Sequence, residues 1–289
     1  MSPFLQCGAK KLDLSRAVVM GVLNVTPDSF SDGGRYLEPA AACEHARRMI
    51  AAGAAIIDIG GESTRPGAQP VPVEEELRRV LPVIEALADS PVVLSIDTMK
   101  PEVMRAALRA GAGLINDVRA LQEPGALAAA LEGDCAVCLM HMQGEPRTMQ
   151  KAPRYLDVVK EVKAFLQARA HACEQAGIAR QRILIDPGFG FGKTQAHNLE
   201  LLRHLDELTQ GAWPVAVGLS RKSMLGSILG RRDGDRLAAS VALAVMAVLR
   251  DARIIRAHDV AATVDALQTV AAVAGAADPQ RTEAQEIGT

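Results

Sequence analysis

Short, continuous apolar runs recur at residues 17–25, 55–59, 92–96, 113–115, 136–142, 182–185, 214–219 and 253–257. They lack polar alternation, the pattern of parallel strands covered on both faces. Their starts lie roughly 20 to 45 residues apart, which leaves room for a helix after each. Helical spacing is visible in the gaps. Leu77, Val80, Leu81, Ile84 and Leu87 share one helical face. So do Leu156, Val159, Val162, Phe165, Leu166 and Cys173, with Arg169 the polar exception. Pro39 and Pro101 suit the first turns of helices. Eight such units predict an α/β fold, a (β/α)8 TIM barrel over residues 1–289 as a single domain. A doubly wound open sheet is the runner-up, but no G-x-G-x-x-G follows the first strand.

Two segments nearly repeat, Ala-Gly-Ala-Ala-Ile-Ile-Asp at 52–58 and Ala-Gly-Ala-Gly-Leu-Ile-Asn-Asp at 110–117. In each, a glycine that can stop a helix leads into a strand ending in a carboxylate. No linker rich in Pro, Gly or Ser divides the chain. Residues 1–15 read as an N-terminal extension, and the polar tail 278–289 is expected to be flexible.

Composition removes whole classes of function. With 49% apolar residues a large core is affordable and wholesale disorder is excluded. A net charge of −2 and 3% aromatics argue against a nucleic-acid binder. The longest apolar stretch, 237–249, is broken by Ser240 and is too short to span a bilayer. Residues 1–15 contain no apolar core of a secretory signal. Five cysteines are too few, and odd in number, for a disulfide scaffold, so a reducing cytoplasm is the expected location. Cys135-x-x-Cys138-x-x-His141 has metal-like spacing, but on a strand Cys135 and Cys138 face opposite sides, which disfavours zinc.

Active sites of such barrels lie at the C-terminal ends of the strands. Those positions hold Asn24, Asp58, Asp97, Asn116, Asp117, His141, Asp186, Ser220-Arg221-Lys222, Arg256 and His258. Ordinary loop polarity explains some of them. It explains Asp97 and Asp186 poorly, because both follow apolar runs directly and must find partners or take up a proton. Two loops are hydrophilic and Gly-rich, Asn24-Val-Thr-Pro-Asp-Ser-Phe30-Ser-Asp32-Gly-Gly and Asp58-Ile-Gly-Gly-Glu-Ser-Thr64-Arg65-Pro66-Gly. Two more follow later strands, Asp186-Pro-Gly-Phe-Gly-Phe191-Gly-Lys193 and Gly218-Leu-Ser220-Arg221-Lys222-Ser. Arg256 and His258, two residues apart on a strand, share a face. Asp259 is expected to cap the helix that follows, whose N-terminus favours anions. Together with Arg65 these residues make a cationic patch that suits a diphosphate. A diphosphate implies Mg²⁺, with the Asn24 side-chain oxygen as one ligand and phosphate and water as the rest.

Taken together, these motifs resemble dihydropteroate synthases of the bacterial folate pathway. The likeness rests on 21–34, 58–67, Ser95-Ile-Asp97-Thr, Ile115-Asn116-Asp117-Val, Met140-His-Met-Gln-Gly, 186–193, 218–223 and Arg256-Ala-His258-Asp-Val, in order along nearly the whole chain. The resemblance implies the same barrel fold, Mg²⁺ and a homodimer, for which the apolar 237–249 segment is a candidate contact. It implies a reaction in which a dihydropterin carrying a CH₂-diphosphate joins 4-aminobenzoate. It implies a pterin pocket of Asp97, Asn116, Asp186 and Lys222, with Met140, Phe191 and Gly218 at its walls. It implies a diphosphate site of Asn24, Arg65, Arg256 and His258. It also implies a 4-aminobenzoate pocket of Thr64, Arg65, Pro66, Phe191, Ser220 and Lys222, closed by the first loop with Phe30 and Asp32. Asp97, Asp32, Lys222, Arg256 and His258 would carry the chemistry.

Three other readings stand beside it. A methyltetrahydrofolate:corrinoid methyltransferase would share the pterin contacts without needing Arg65, Arg256 and His258. A Schiff-base aldolase would use Lys222. A non-catalytic pterin-binding paralogue would bind without turnover.

Overall fold

The computed structural model describes residues 3–26, 38–63, 69–230 and 235–275. Eight parallel strands form the barrel: β3 (Val18–Asn24), β4 (Ile56–Gly60), β5 (Val93–Asp97), β6 (Leu114–Asp117), β7 (Ala136–Met140), β8 (Ile183–Asp186), β9 (Ala216–Gly218) and β10 (Ile254–Ala257). They pair in the order β8-β7-β6-β5-β4-β3-β10-β9. One parallel bridge, Ile185 to Val215, joins the two ends and closes the ring. Each strand falls within a residue or two of its apolar run.

Period-two alternation divides the strand side chains between two cores. Val19, Leu23, Ile57, Ile59, Leu94, Ile96, Ile115, Val137, Ile183, Val217 and Ile255 point outward and pack beneath the helices. Met20, Ile56, Val93, Leu114, Ala136, Leu184, Ala216 and Ile254 fill the lower barrel interior. Two residues further along the same interior rows the character changes. Ile56 is followed by Asp58, Val93 by Ser95 and then Asp97, Leu114 by Asn116, Leu184 by Asp186, and Ile254 by Arg256. Five of the eight strands, β4, β5, β6, β8 and β10, are therefore apolar below and polar above on their inner face.

The helices follow their apolar faces. α1 (Glu38–Ala51) begins next to Pro39. α2 (Val73–Leu87) buries Val80, Val83, Ile84 and Leu87. α3 (Pro101–Arg109) has Pro101 in its first turn, and α4 (Ala126–Leu131) follows β6. α5 (Val158–Gln175) is capped by Asp157, whose carboxylate accepts from Lys160 N. Leu156, expected on the buried face of α5, lies before the helix and is fully exposed. The expected exception, Arg169, donates to the carbonyls of Ala120 and Leu121. Both of those residues have positive φ, so Arg169 fastens an otherwise strained turn. α6 (Gln195–Arg203), α7 (Asp206–Thr209), α8 (Ser223–Ile228), α9 (Leu237–Val248) and α10 (Val260–Val273) complete the outer layer.

The N-terminal segment does more than extend the chain. β1 (Phe4–Cys7) and β2 (Lys10–Asp13) form an antiparallel hairpin. Its Leu5, Cys7, Leu12 and Leu14 join the lower interior core. The Cys7 carbonyl lies only 2.7 Å from where a side chain on Gly113 would start, so that glycine is required by close packing. Alternation in four-residue strands is too brief to be read from sequence. The tail at 278–289 lies outside the described residues.

Candidate functional site

The polar upper interior is organised around Asp58, which is fully buried on β4. Its carboxylate accepts from Ser95 Oγ at 2.6 Å, Asn116 Nδ2 at 3.0 Å and Arg256 Nε at 2.6 Å. Arg256 also donates through Nη2 to Asp97 Oδ2 at 2.7 Å. A guanidinium fork held between two carboxylates has little rotational freedom. The charge of Arg256 is held more firmly than usual by Asp58 and Asp97, against the cost of burial. Asp97 behaves in the opposite sense: burial pushes its carboxyl up to about 7, although Arg256 pulls it down. Its second oxygen, Oδ1, is buried and meets no hydrogen-bond donor among the described residues.

A small cleft, open to solvent, lies above this cluster. Asp97, Asn116, Asp186, Lys222 and Arg256 supply its polar lining. Met140, Val118, Phe189, Phe191, Gly188 and Gly218 supply the rest.

The turn after β8 forms one wall, and its glycines have specific reasons. Gly188 (φ +67°) would place a Cβ 2.0 Å from the His141 carbonyl oxygen. Gly192 (φ +61°) would place one 2.3 Å from the Gln143 carbonyl oxygen. No other residue type permits both the left-handed backbone and this approach to the segment after β7. Gly188 N donates to Asp186 Oδ1 at 2.7 Å, which orients that buried carboxylate. Burial raises Asp186, while the Gly188 amide and the charges of Lys222, Arg256 and Lys193 pull it back. Phe191 lies under the Lys222 ammonium, with Nζ 4.4 Å from the ring centre, a cation–π contact.

Lys222 follows Arg221, a non-glycine residue at φ +57°. The turn is tied down from several sides. Arg221 N donates to Ser240 Oγ at 3.0 Å, and Arg236 Nη1 donates to the Arg221 carbonyl at 3.2 Å. The Arg221 guanidinium is ion-paired with Asp259. Asp259 was expected to cap α10 and does not: its side chain makes no capping bond and is taken by Arg221 instead. Ser220 Oγ lies 3.1 Å from His258 Nδ1 and accepts from His258 N at 3.2 Å, so the loops after β9 and β10 are joined.

The structure thus gathers Asp97, Asn116, Met140, Asp186, Phe191, Gly218, Lys222 and Arg256 around one cleft. Ser220 and His258 form a neighbouring pair. Of the pair expected to face one anion, Arg256 also reaches Asp58 and Asp97, and His258 contacts Ser220. Phe30, Asp32, Thr64, Arg65 and Pro66 lie outside the described residues. The base of the second loop is fixed on its near side. Glu62 accepts from Val71 N at 3.2 Å, and Lys100 is ion-paired with both Glu62 and buried Glu76.

Asn24 ends β3 in register with Gly60 and, beyond it, Asp97. Gly60 has no side chain to fill the space between them, and a Cβ there would sit 3.5 Å from Asp97 Cβ. Among the described residues no group of three or more His, Cys, Asp or Glu side chains could hold a metal. Cys135 and Cys138 pack into the outer and inner cores respectively, away from each other. A single side-chain oxygen such as that of Asn24 is the donor type of a hard cation that draws most of its ligands from a substrate and water, as Mg²⁺ does.

In the sequence Asp58 reads as a strand-end residue without a role, and Lys193 as one residue of a loop. Lys193 is 2% exposed, and its Nζ lies 2.9 Å from His141 Nδ1, 2.9 Å from the Gly188 carbonyl and 3.1 Å from the Phe191 carbonyl. Burial lowers the lysine to about 7 and His141 to about 3. The available signal was the interior parity of Asp58 with Ile56, whereas nothing local marks Lys193.

A family model described as "Pterin binding enzyme" matches residues 20–258. The dihydropteroate synthase of Escherichia coli (strain K12) is 55% identical over 273 residues, covering 94% of this chain and 97% of that protein. The solved structure of Xanthomonas albilineans dihydropteroate synthase with 4-aminobenzoic acid superposes with a TM-score of 0.89 at 54% identity, covering 96% of this chain and 100% of that one. Burkholderia cenocepacia dihydropteroate synthase complexed with 7,8-dihydropteroate gives 0.86 at 52% identity, covering 94% and 97%. The carboxylate-lined cleft, the glycine-built wall and these likenesses agree, and the chain belongs to the dihydropteroate synthase family of pterin-binding enzymes.

Proposed function

We propose that this chain joins (7,8-dihydropterin-6-yl)methyl diphosphate to 4-aminobenzoate, giving 7,8-dihydropteroate and diphosphate. The observation that carries the reading is the cleft, in which two buried carboxylates, an amide and a lysine converge above an apolar wall. A pterin edge offers paired N–H donors at its 2-amino and N3 positions, which suit Asp186. Its 4-oxo group and N5 accept, which suits Lys222. Asn116 can donate and accept at once, and the unmatched Oδ1 of Asp97 can accept a further ring N–H.

The C–O bond to diphosphate breaks first, and the electron pair leaves with the diphosphate. Arg256, His258 and Arg65 stabilise that charge as it develops. Mg²⁺, held by Asn24 and the diphosphate oxygens, would neutralise part of the same charge. The pterin methylene cation is stabilised by ionised Asp97, with Asp32 assisting. The 4-aminobenzoate nitrogen, neutral at pH 7, forms the new C–N bond and then loses one proton. Thr64, Pro66, Phe191 and Ser220 line its pocket, with Phe30 closing it.

No helix among the described residues is long and apolar enough to cross a membrane. All five cysteines are free and buried, which supports a reducing, cytoplasmic setting. The partners are small molecules and a second copy of the chain. Exposed Met246 on α9 and Leu249 just after it support a homodimer contact there, which sedimentation measures directly.

The test is diphosphate release with Mg²⁺, with and without 4-aminobenzoate. Release that depends on 4-aminobenzoate and yields dihydropteroate is expected. Pterin binding without release would transfer the assignment to a non-catalytic pterin-binding protein.

A further inference from the structure

We propose that Lys193 is the positioning residue for pterin recognition, holding the Asp186–Phe191 turn in the shape that presents Asp186 and Phe191 to the cleft. The inference rests on the pterin reading of that cleft. Lys193 Nζ contacts the carbonyls of Gly188 and Phe191, and it approaches the His141 carbonyl at 3.3 Å. Two of these residues also hold Asp186, through their amides. Gly188 N donates to Asp186 Oδ1 at 2.7 Å, and His141 N donates to the Asp186 carbonyl at 3.0 Å. Lys193 therefore grips both residues whose amides fix Asp186, and it also grips the residue whose ring lies under Lys222.

When Lys193 is an ammonium it has only hydrogens to offer, so His141 Nδ1 then accepts and the ring proton sits on Nε2. Among the described residues Lys193 forms no ion pair, and its charge is met by one ring nitrogen and backbone carbonyls. Burying a lysine in that way is costly. A turn needing stability alone would be served by an apolar side chain. This one holds three peptide groups around a carboxylate that lines the cleft.

The experiment measures binding of 6-hydroxymethylpterin by calorimetry, and the two Michaelis constants, in wild type and Lys193→Met. The expected result is pterin affinity and pterin KM worsened by about ten-fold or more, as for loss of a charged hydrogen-bond set. The KM for 4-aminobenzoate at saturating pterin, whose pocket shares only Phe191 with this turn, worsens by less than the pterin constants, a split that general destabilisation would not produce. If Lys193→Met does not fold, His141→Phe carries the test, because it removes one acceptor while keeping a ring against Phe165. Weakened pterin binding with a smaller change in the 4-aminobenzoate KM supports the assignment. Unchanged pterin affinity in a folded variant overturns it. Wild-type protein that binds no pterin overturns the underlying reading of the cleft, a separate failure.

Discussion

Arg256 reaches Asp97 across two intervening strands: its Nη2 lies 2.7 Å from Asp97 Oδ2, while its Nε is held at 2.6 Å by Asp58. One cation thus serves a structural carboxylate and a cleft-lining one. A ligand that draws on Asp97 also alters what Arg256 can offer a leaving group.

Removing that cation is expected to be expensive. Arg256→Met leaves Asp58 fully buried without its charged partner, and stability should fall by about 3–5 kcal/mol. Arg256→Lys should recover only part, because an ammonium cannot span both carboxylates as the fork does. Urea midpoints at constant m-value check both.

Asp97 should make stability depend on pH. Its folded value of about 7 lies above the ordinary 3.8, so between these values the folded protein holds a proton that the unfolded chain has released. Its stabilising contribution is therefore complete below about pH 4 and is lost as the pH rises through about 7. Asp97→Asn should remove that slope. Denaturation midpoints of the two proteins across this range decide the point, and equal slopes would mean that Asp97 ionises normally.

The same variant tests the chemistry. If ionised Asp97 stabilises the methylene cation, Asp97→Asn should lower kcat by about 10²-fold or more. Full turnover with normal pterin affinity would exclude that role and favour direct displacement.

Gly188→Ala should be far worse than Gly190→Ala. The first meets the His141 carbonyl oxygen at 2.0 Å, a backbone atom that cannot swing aside as a side chain can, and a loss of about 3 kcal/mol or more is expected. The second meets the flexible Lys222 chain at 3.3 Å and should lose only about 1–2 kcal/mol for its left-handed φ, while displacing Lys222. Thermal melts and pterin affinity of the pair make the comparison.

A sulfonamide, which carries the same aromatic amine as 4-aminobenzoate, should compete with it. Raising 4-aminobenzoate should restore the full rate. Inhibition insensitive to 4-aminobenzoate would place the drug elsewhere.

The strands, their parallel character and the eight-fold repeat were legible in the sequence, because apolar runs of strand length are local signals. So was the end of the barrel that carries chemistry, because interior parity runs from Ile56 to Asp58 and from Leu184 to Asp186 within single strands. The partners of those residues were not legible. Arg256 and Asp58 are 198 positions apart, and only the pairing of the last strand, β10, with β3 brings them to 2.6 Å. Lys193 reads as a loop lysine until the turn after β8 folds against the segment after β7. The same logic moved Asp259 from helix cap to partner of Arg221, and turned the first residues into the floor of the barrel. Local pattern determines which elements form and which way each residue faces. Which charges neutralise each other is decided by tertiary distance, since a buried charge takes whichever partner the closed barrel sets beside it.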